Sequence, residues 1–145
     1  MKVILIRVHN AEVLVDNAVI SSIQRGIVLF VGIEKGDTLD SLTTLADKVT
    51  GLRIFENEQG KLHYSVKEKN YQILCISNFT LCASTEKGRR PSFDNSMDRQ
   101  GANELFEKFV SLIRNKEIAV SSGVFGAHMD IRLMLDGPVN IVLSA

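Results

Sequence analysis

Gly26-Ile27-Val28-Leu29-Phe30-Val31-Gly32-Ile33 is the stretch on which the reading of this 145-residue chain turns. A half-exposed strand alternates apolar with polar residues, whereas a nearly continuous apolar, β-branched run is expected of a strand covered on both faces. Something must therefore pack on each side of residues 27–33. Upstream, residues 3–8 and 12–15 are strand-like and Asp16-Asn17 supplies turn chemistry before Val19-Ile20, so this end reads as strands joined by a tight hairpin. Downstream, Leu39, Leu42, Leu45, Ala46, Val49 and Leu52 recur at spacings of three and four. That spacing predicts a helix over 39–52, capped by Asp37 or Thr38, as the cover on one side.

The rest of the chain extends this pattern. Residues 53–55 form a short strand, Glu58-Gln59-Gly60 a turn, and Ile73-Leu74-Cys75-Ile76 the centre of a second buried strand over 72–77. Residues 78–98 are polar and patternless, with Gly88 and Pro91, and such a stretch in a compact domain is more often functional than idle. Ala102, Leu105, Phe106, Phe109, Val110 and Ile113 share one face of a helix over 99–116. Strands over 118–120, 128–135 and 139–143 complete the order. Strands, helix, strands, helix, strands imply an α/β, mixed α+β fold in which two helices cover one side of a mixed sheet system. Residues 1–145 are expected to form a single domain.

Hydrophobic residues make up 45% of the chain and charged residues 23%, ordinary values for a soluble globular protein rather than a disordered one. No apolar run approaches the roughly 18 residues of a membrane span, and Arg7 interrupts the first apolar stretch, so a cytoplasmic location without a membrane partner is expected. Cys75 and Cys82 form no Cys-x-x-Cys pair, which excludes a disulfide framework or an all-cysteine zinc site. There is no phosphate-binding or dinucleotide glycine fingerprint, so neither metal nor cofactor is implied. A net charge of zero gives no global pull on a polyanion, so any nucleic-acid contact must be local.

Four segments carry candidate chemistry. Ser77-Asn78-Phe79-Thr80 leaves a buried strand and presents hydroxyl, amide and aromatic groups at its end, where ligands commonly bind in layered α/β proteins. Thr80 suggests a nucleophile, but no His, Asp or Glu adjoins it as a base. Lys87-Gly88-Arg89-Arg90-Pro91-Ser92-Phe93 gathers three cations beside an aromatic, either as a solvated loop or as a phosphate-contacting loop with Phe93 free to pack or stack on a base. Gly123-Val124-Phe125-Gly126-Ala127-His128-Met129 reads as a close-approach turn or as core packing of Phe125 and Met129. His9, His63 and His128 are scattered and read as surface or structural histidines. Finally, Gly137-Pro138 interrupts two strand-like runs, where proline removes a ladder donor. Alone it is a turn.

Together with Ile6-Arg7-Val8, Gly32-Ile33-Glu34-Lys35, Leu52-Arg53-Ile54-Phe55 and Asp136-Gly137-Pro138-Val139, these segments resemble, in order and spacing over the whole chain, the D-aminoacyl-tRNA deacylases. The resemblance implies a three-layer β/β/α fold and a homodimer that hydrolyses the ester of D-aminoacyl-tRNA, and of glycyl-tRNA mischarged on tRNA-Ala, in translation proofreading. It implies that a cis Gly137-Pro138 reaches into the partner's active site and excludes L side chains by backbone clash, a way of reading chirality rather than side-chain identity. It places the catalytic pocket at Ser77, Asn78, Phe79 and Thr80, Arg7 as support for the Gly-Pro, and Phe125 and Met129 near the terminal adenosine. Two departures stand out: Asn78 where the family usually has glutamine, and Leu135 and Asn140 where Asn and Thr usually flank the motif.

An aminoacyl ester is already activated, so positioning, backbone N–H groups for the oxyanion and an ordered water suffice without a strong protein base. Assistance from the RNA's ribose hydroxyl is favoured here over attack by Thr80. Two rival readings remain: a non-catalytic tRNA- or peptide-binding adaptor with a purely structural Gly137-Pro138, and a hydrolase using Cys75 or Cys82.

Overall fold

A computed structural model describes residues 1–145. The elements follow the chain as β1 (Lys2–Val15), β2 (Ala18–Ile23), β3 (Gly26–Gly32), α1 (Leu39–Gly51), β4 (Phe55–Glu56), β5 (Leu62–Tyr64), β6 (Gln72–Ser77), α2 (Arg99–Arg114), β7 (Val120–Ser122) and β8 (Asp130–Ser144). The fold is mixed α+β, as expected. One six-stranded sheet runs β2-β1-β3-β6-β7 with β8 also on β1, while β4 and β5 form a separate pair. The β3–β6 and β6–β7 pairs are parallel and the pairs made by β1 are antiparallel.

The apolar run in β3 is covered on both faces. Ile27, Leu29 and Val31, with Ile73 and Cys75 of β6, face one cluster containing Leu42, Leu45 and Val49 of α1 and Phe106, Phe109 and Ile113 of α2. The intervening Val28, Leu74 and Ile76 face the other way, onto Val8, Ala11, Val13 and Ile23, with Ile131 and Leu133 of β8 packed alongside. Because strand side chains alternate, one layer of helices and one layer of strands bury opposite faces of the same sheet. This yields the β/β/α layering. The second β layer exists because β1 is a single 14-residue strand, pairing β3 through residues 2–8 and β2 through residues 11–15.

The hairpin after β1 turns through Asp16 and Asn17, both at positive φ, residue types that tolerate the left-handed region a tight hairpin demands. Thr38, rather than Asp37, caps α1, and Ser41 Oγ accepts from the Thr38 N–H at 3.5 Å. Asp98 caps α2, its carboxylate accepting from Gly101 N–H at 3.0 Å.

Two expectations are corrected. Residues 78–98 are not structureless: Phe79–Cys82 form a one-turn 3₁₀ helix, and Ser84 bridges Ser92 and Glu34 bridges Ser96. The two strands expected over 128–135 and 139–143 are one element, β8, interrupted but not ended by Gly137-Pro138. Val8 pairs Leu135 and Ile6 pairs Asn140, so residues 136–139 leave the β1 ladder as an excursion with Arg7 opposite them. A proline inside a strand is thereby accommodated where no ladder bond is required of it.

Candidate functional site

The end of β6 delivers Ser77 and Asn78 to the rim of a cavity of about 590 Å³. The turn that follows is pressed against β3. A Cβ on Gly32 would come within 2.9 Å of the Leu81 Cβ and 3.0 Å of the Cys82 Sγ, so only glycine admits this approach. Cys82 Sγ donates to the Ile33 carbonyl at 3.3 Å, tying the turn to the same strand.

Ser77, Asn78, Phe79, Thr80, Phe125 and Met129 all line this one cavity. The local geometry is set by Asn78, whose side-chain oxygen accepts both the Thr80 N–H, at 3.1 Å, and the Thr80 hydroxyl. Thr80 therefore gives its proton to a neutral amide, which is no general base. No imidazole or carboxylate bonds to Thr80, so the hydroxyl lacks the activation a nucleophile needs. The Asn78 oxygen is spent bracing the turn. The Phe79 N–H, at the first position of the helical turn, takes no side-chain cap and has no partner within the turn.

Phe125 is half-buried, 6.2 Å from the Phe106 ring, so its packing and its place on the cavity wall are compatible. Phe93, which the sequence offered for packing or for stacking on a base, packs on the Phe79 ring at a centroid distance of 5.0 Å. That contact holds the exposed loop carrying Lys87, Arg89 and Arg90 beside the cavity rim. Sequence reasoning missed Met97, Arg99 and His128, which also line the cavity. Arg99 was legible only as the first residue of a helix, and nothing local marks which surface a helix start will face.

Arg7, Gly137 and Pro138 do not line the cavity of their own chain. Arg7 is 5% exposed, and its fork serves three acceptors: Nε donates to the Asp136 carbonyl at 3.0 Å, Nη1 to the Ile54 carbonyl at 2.6 Å and Nη2 to Asp136 Oδ1 at 3.3 Å. Gly137 and Pro138 are exposed and joined by a cis peptide. Gly137 has φ +149, and a Cβ there would lie 2.3 Å from the Val139 nitrogen, which requires glycine.

The cysteines offer no nucleophile. Cys75 is fully buried among Ile73, Leu29 and the helix residues, and desolvation pushes its thiol up to about 12. Burial, and then the charge of Glu34, raise the Cys82 thiol as well. Neither carries appreciable thiolate at neutral pH. No helix is long and apolar enough to cross a membrane.

Comparison with known proteins adds to this geometry. A family model described as D-Tyr-tRNA(Tyr) deacylase matches residues 4–144. A D-aminoacyl-tRNA deacylase of Lactobacillus gasseri is 46% identical over 144 residues, covering 99% of each chain. One of Thermotoga petrophila is 43% identical over 145 residues, covering 100% of this chain and 97% of the relative. Among solved structures, one titled c-Myc DNA Unwinding Element Binding Protein superimposes with TM-score 0.94 at 38% identity, covering 100% of this chain and 99% of the other. Another, titled as a probable eukaryotic D-amino acid tRNA deacylase, has TM-score 0.86 at 17% identity over 99% and 98%, a likeness of fold.

Proposed function

This chain belongs to the D-Tyr-tRNA(Tyr) deacylase family and hydrolyses the ester of D-aminoacyl-tRNA; we propose that it reads the hand of the amino acid with the Gly137-Pro138 backbone of a second subunit. In this reading residues 1–145 act as one catalytic domain in a homodimer. The 3′ end of the tRNA enters the cavity, with its terminal adenosine beside Phe125 and Met129 and its aminoacyl group over the turn from Ser77 to Thr80. Exposed carbonyls of Gly137-Pro138 from the partner meet the α-carbon, leaving room for hydrogen or a D side chain but not an L one. Glycyl-tRNA is then also a substrate, since glycine offers nothing to exclude.

The chemistry follows from the bond broken. Water adds to the ester carbonyl, the oxyanion is held by backbone N–H groups of the turn with Phe79 foremost, and the carbonyl–ribose oxygen bond then breaks. The water's proton passes by way of the neighbouring ribose hydroxyl to the departing ribose oxygen, releasing tRNA and the free amino acid. The single observation that carries this chemistry is the Thr80 hydroxyl donating to Asn78, which leaves Thr80 without an activating base.

The test is hydrolysis of D-tyrosyl-, L-tyrosyl- and glycyl-tRNA by the wild-type protein and by a Gly137→Ala variant. The D and glycyl esters are hydrolysed and the L ester spared by the wild type, and the variant narrows that preference. Release of neither amino acid by the wild type leaves the adaptor reading instead.

A further inference from the structure

Asp136, the residue that enters the Gly137-Pro138 excursion, is held from two sides. Arg7 Nη2 lies 3.3 Å from its Oδ1, and Arg25 Nη2 lies 3.1 Å from its Oδ2. His9 Nε2 stands 3.8 Å from Oδ1. The Asp136 side chain is only 13% exposed, and each of its two carboxylate oxygens meets a different guanidinium.

Arg25, though its side chain is 49% exposed, is tethered at both ends. Its main chain joins β2 to β3, and its carbonyl accepts from Gln72 N–H at 3.3 Å while the Gln72 side-chain oxygen accepts from Gln24 N–H at 2.7 Å. Its guanidinium sits 5.4 Å from the centre of the Tyr71 ring, and Tyr71 stands edge-on at 5.0 Å to the buried Phe55. An exposed ion pair between two flexible side chains contributes little because both must be ordered to form it. Here one member is already placed by its backbone and by stacking, which removes much of that cost.

Beyond Asp136 the excursion is anchored by Val139, which packs against the main core, and by no side-chain hydrogen bond. Leu135 and Asn140, its two flanks, are exposed and make no side-chain hydrogen bond, and Gly137 has no side chain at all. Arg7 holds the Asp136 carbonyl and one carboxylate oxygen, and Arg25 holds the other oxygen.

We infer that Arg25 is a positioning residue for stereochemical discrimination: by holding Asp136 against Arg7 it sets the direction in which the Gly137-Pro138 carbonyls point. Arg25 contacts Asp136 and the Tyr71 ring and does not line its own chain's cavity, and the role assigned to it is exerted through Asp136. The inference rests on the proposal that Gly137-Pro138 is the chiral gate. Loss of the brace lets the carbonyls swing and admits L side chains, while the turn from Ser77 to Thr80 continues to hydrolyse whatever enters.

The experiment compares kcat/KM on D-tyrosyl- and L-tyrosyl-tRNA for wild type, Arg25→Ala, Arg25→Lys and Gly137→Ala, with thermal melting of each. Arg25→Ala is expected to lower the D:L ratio by about tenfold, mostly through faster L hydrolysis, with D hydrolysis within about threefold of wild type. Arg25→Lys, which keeps the charge but loses the planar fork, falls between. The inference is overturned if Arg25→Ala slows both substrates equally, or leaves the ratio unchanged while Gly137→Ala shifts it. If Gly137→Ala folds and leaves the ratio unchanged, the gate itself fails and this inference with it. Should Arg25→Ala melt well below wild type, Arg25→Lys and Arg25→Gln carry the comparison, and an unchanged ratio in both overturns the inference.

Discussion

The Thr80 hydroxyl donates to the side-chain oxygen of Asn78, two residues before it, and the same oxygen accepts the Thr80 N–H at 3.1 Å. A hydroxyl with no base beside it in the sequence is, in three dimensions, half of a turn brace. Thr80→Ala removes one of the two bonds and leaves the backbone one. We expect kcat to fall by no more than about tenfold, the effect of a loosened site rather than a lost nucleophile. A far larger loss with folding intact, together with an acyl-enzyme captured by mass spectrometry, would restore Thr80 to a covalent role.

Asn78→Gln tests the bracing from the other side. The longer side chain must bend to keep its oxygen over the Thr80 N–H, or else reach further into the cavity. Because the oxygen caps the turn, kcat is expected to change more than KM, by about threefold to tenfold. Parallel measurement of both constants on D-tyrosyl-tRNA decides it; a pure KM effect contradicts the bracing role.

Arg7→Lys addresses the support beneath the excursion. Lysine carries one nitrogen where Arg7 uses three, so it cannot serve the carbonyls of Asp136 and Ile54 and the Asp136 carboxylate together. A buried carbonyl left without its donor costs about 1–3 kcal/mol. Chemical denaturation should show a loss in that range, and a variant as stable as wild type would mean that water replaces the fork.

Cys75 makes a pH prediction with a definite sign. Its thiol is raised in the folded state, from 9.0 to about 12, by desolvation. The unfolded chain therefore ionises first. The contribution to stability is complete below about pH 9 and is lost as pH rises toward about 12. Alkylation of the native protein near pH 8 should be slow at both cysteines and leave deacylation intact; rapid labelling with loss of activity would revive the thiol reading.

Phe109→Ala measures the helix layer. Phe109 is fully buried in the core cluster that α2 shares with α1 and the sheet, and truncation leaves a cavity there. A loss of about 3–5 kcal/mol is expected in urea unfolding. A loss below 1 kcal/mol would mean that the α2 layer collapses into the space.

How much was legible earlier depends on whether the signal was local. Residues 27–33 declared a strand buried on both sides because hydrophobic patterning is written residue by residue, and the helices at Leu39–Gly51 and Arg99–Arg114 followed from the same logic. Residues 78–98 looked patternless because the 3₁₀ turn there is held by one asparagine side chain and by a glycine on another strand, neither of which leaves a periodic trace. Met97, Arg99 and His128 were missed as cavity walls for a related reason. Their role comes from how α2 and the β7–β8 connection dock, not from neighbours in the chain.

By itself, the sequence determined the alternation of buried runs, the two helical faces and the residue types at Ser77 to Thr80 and Gly137-Pro138, because each is a property of adjacent or periodically spaced side chains. Only the tertiary structure decided what those residues do. It turned Thr80 toward an amide rather than a base, kept Gly137-Pro138 out of its own chain's cavity, and brought Arg7 and Arg25 to opposite oxygens of Asp136. The physical reason is geometry: hydrophobic burial is encoded by local pattern, whereas hydrogen bonds and ion pairs depend on placement within a few ångströms, whether between neighbours in a turn such as Asn78 and Thr80 or between Asp136 and arginines more than a hundred residues away.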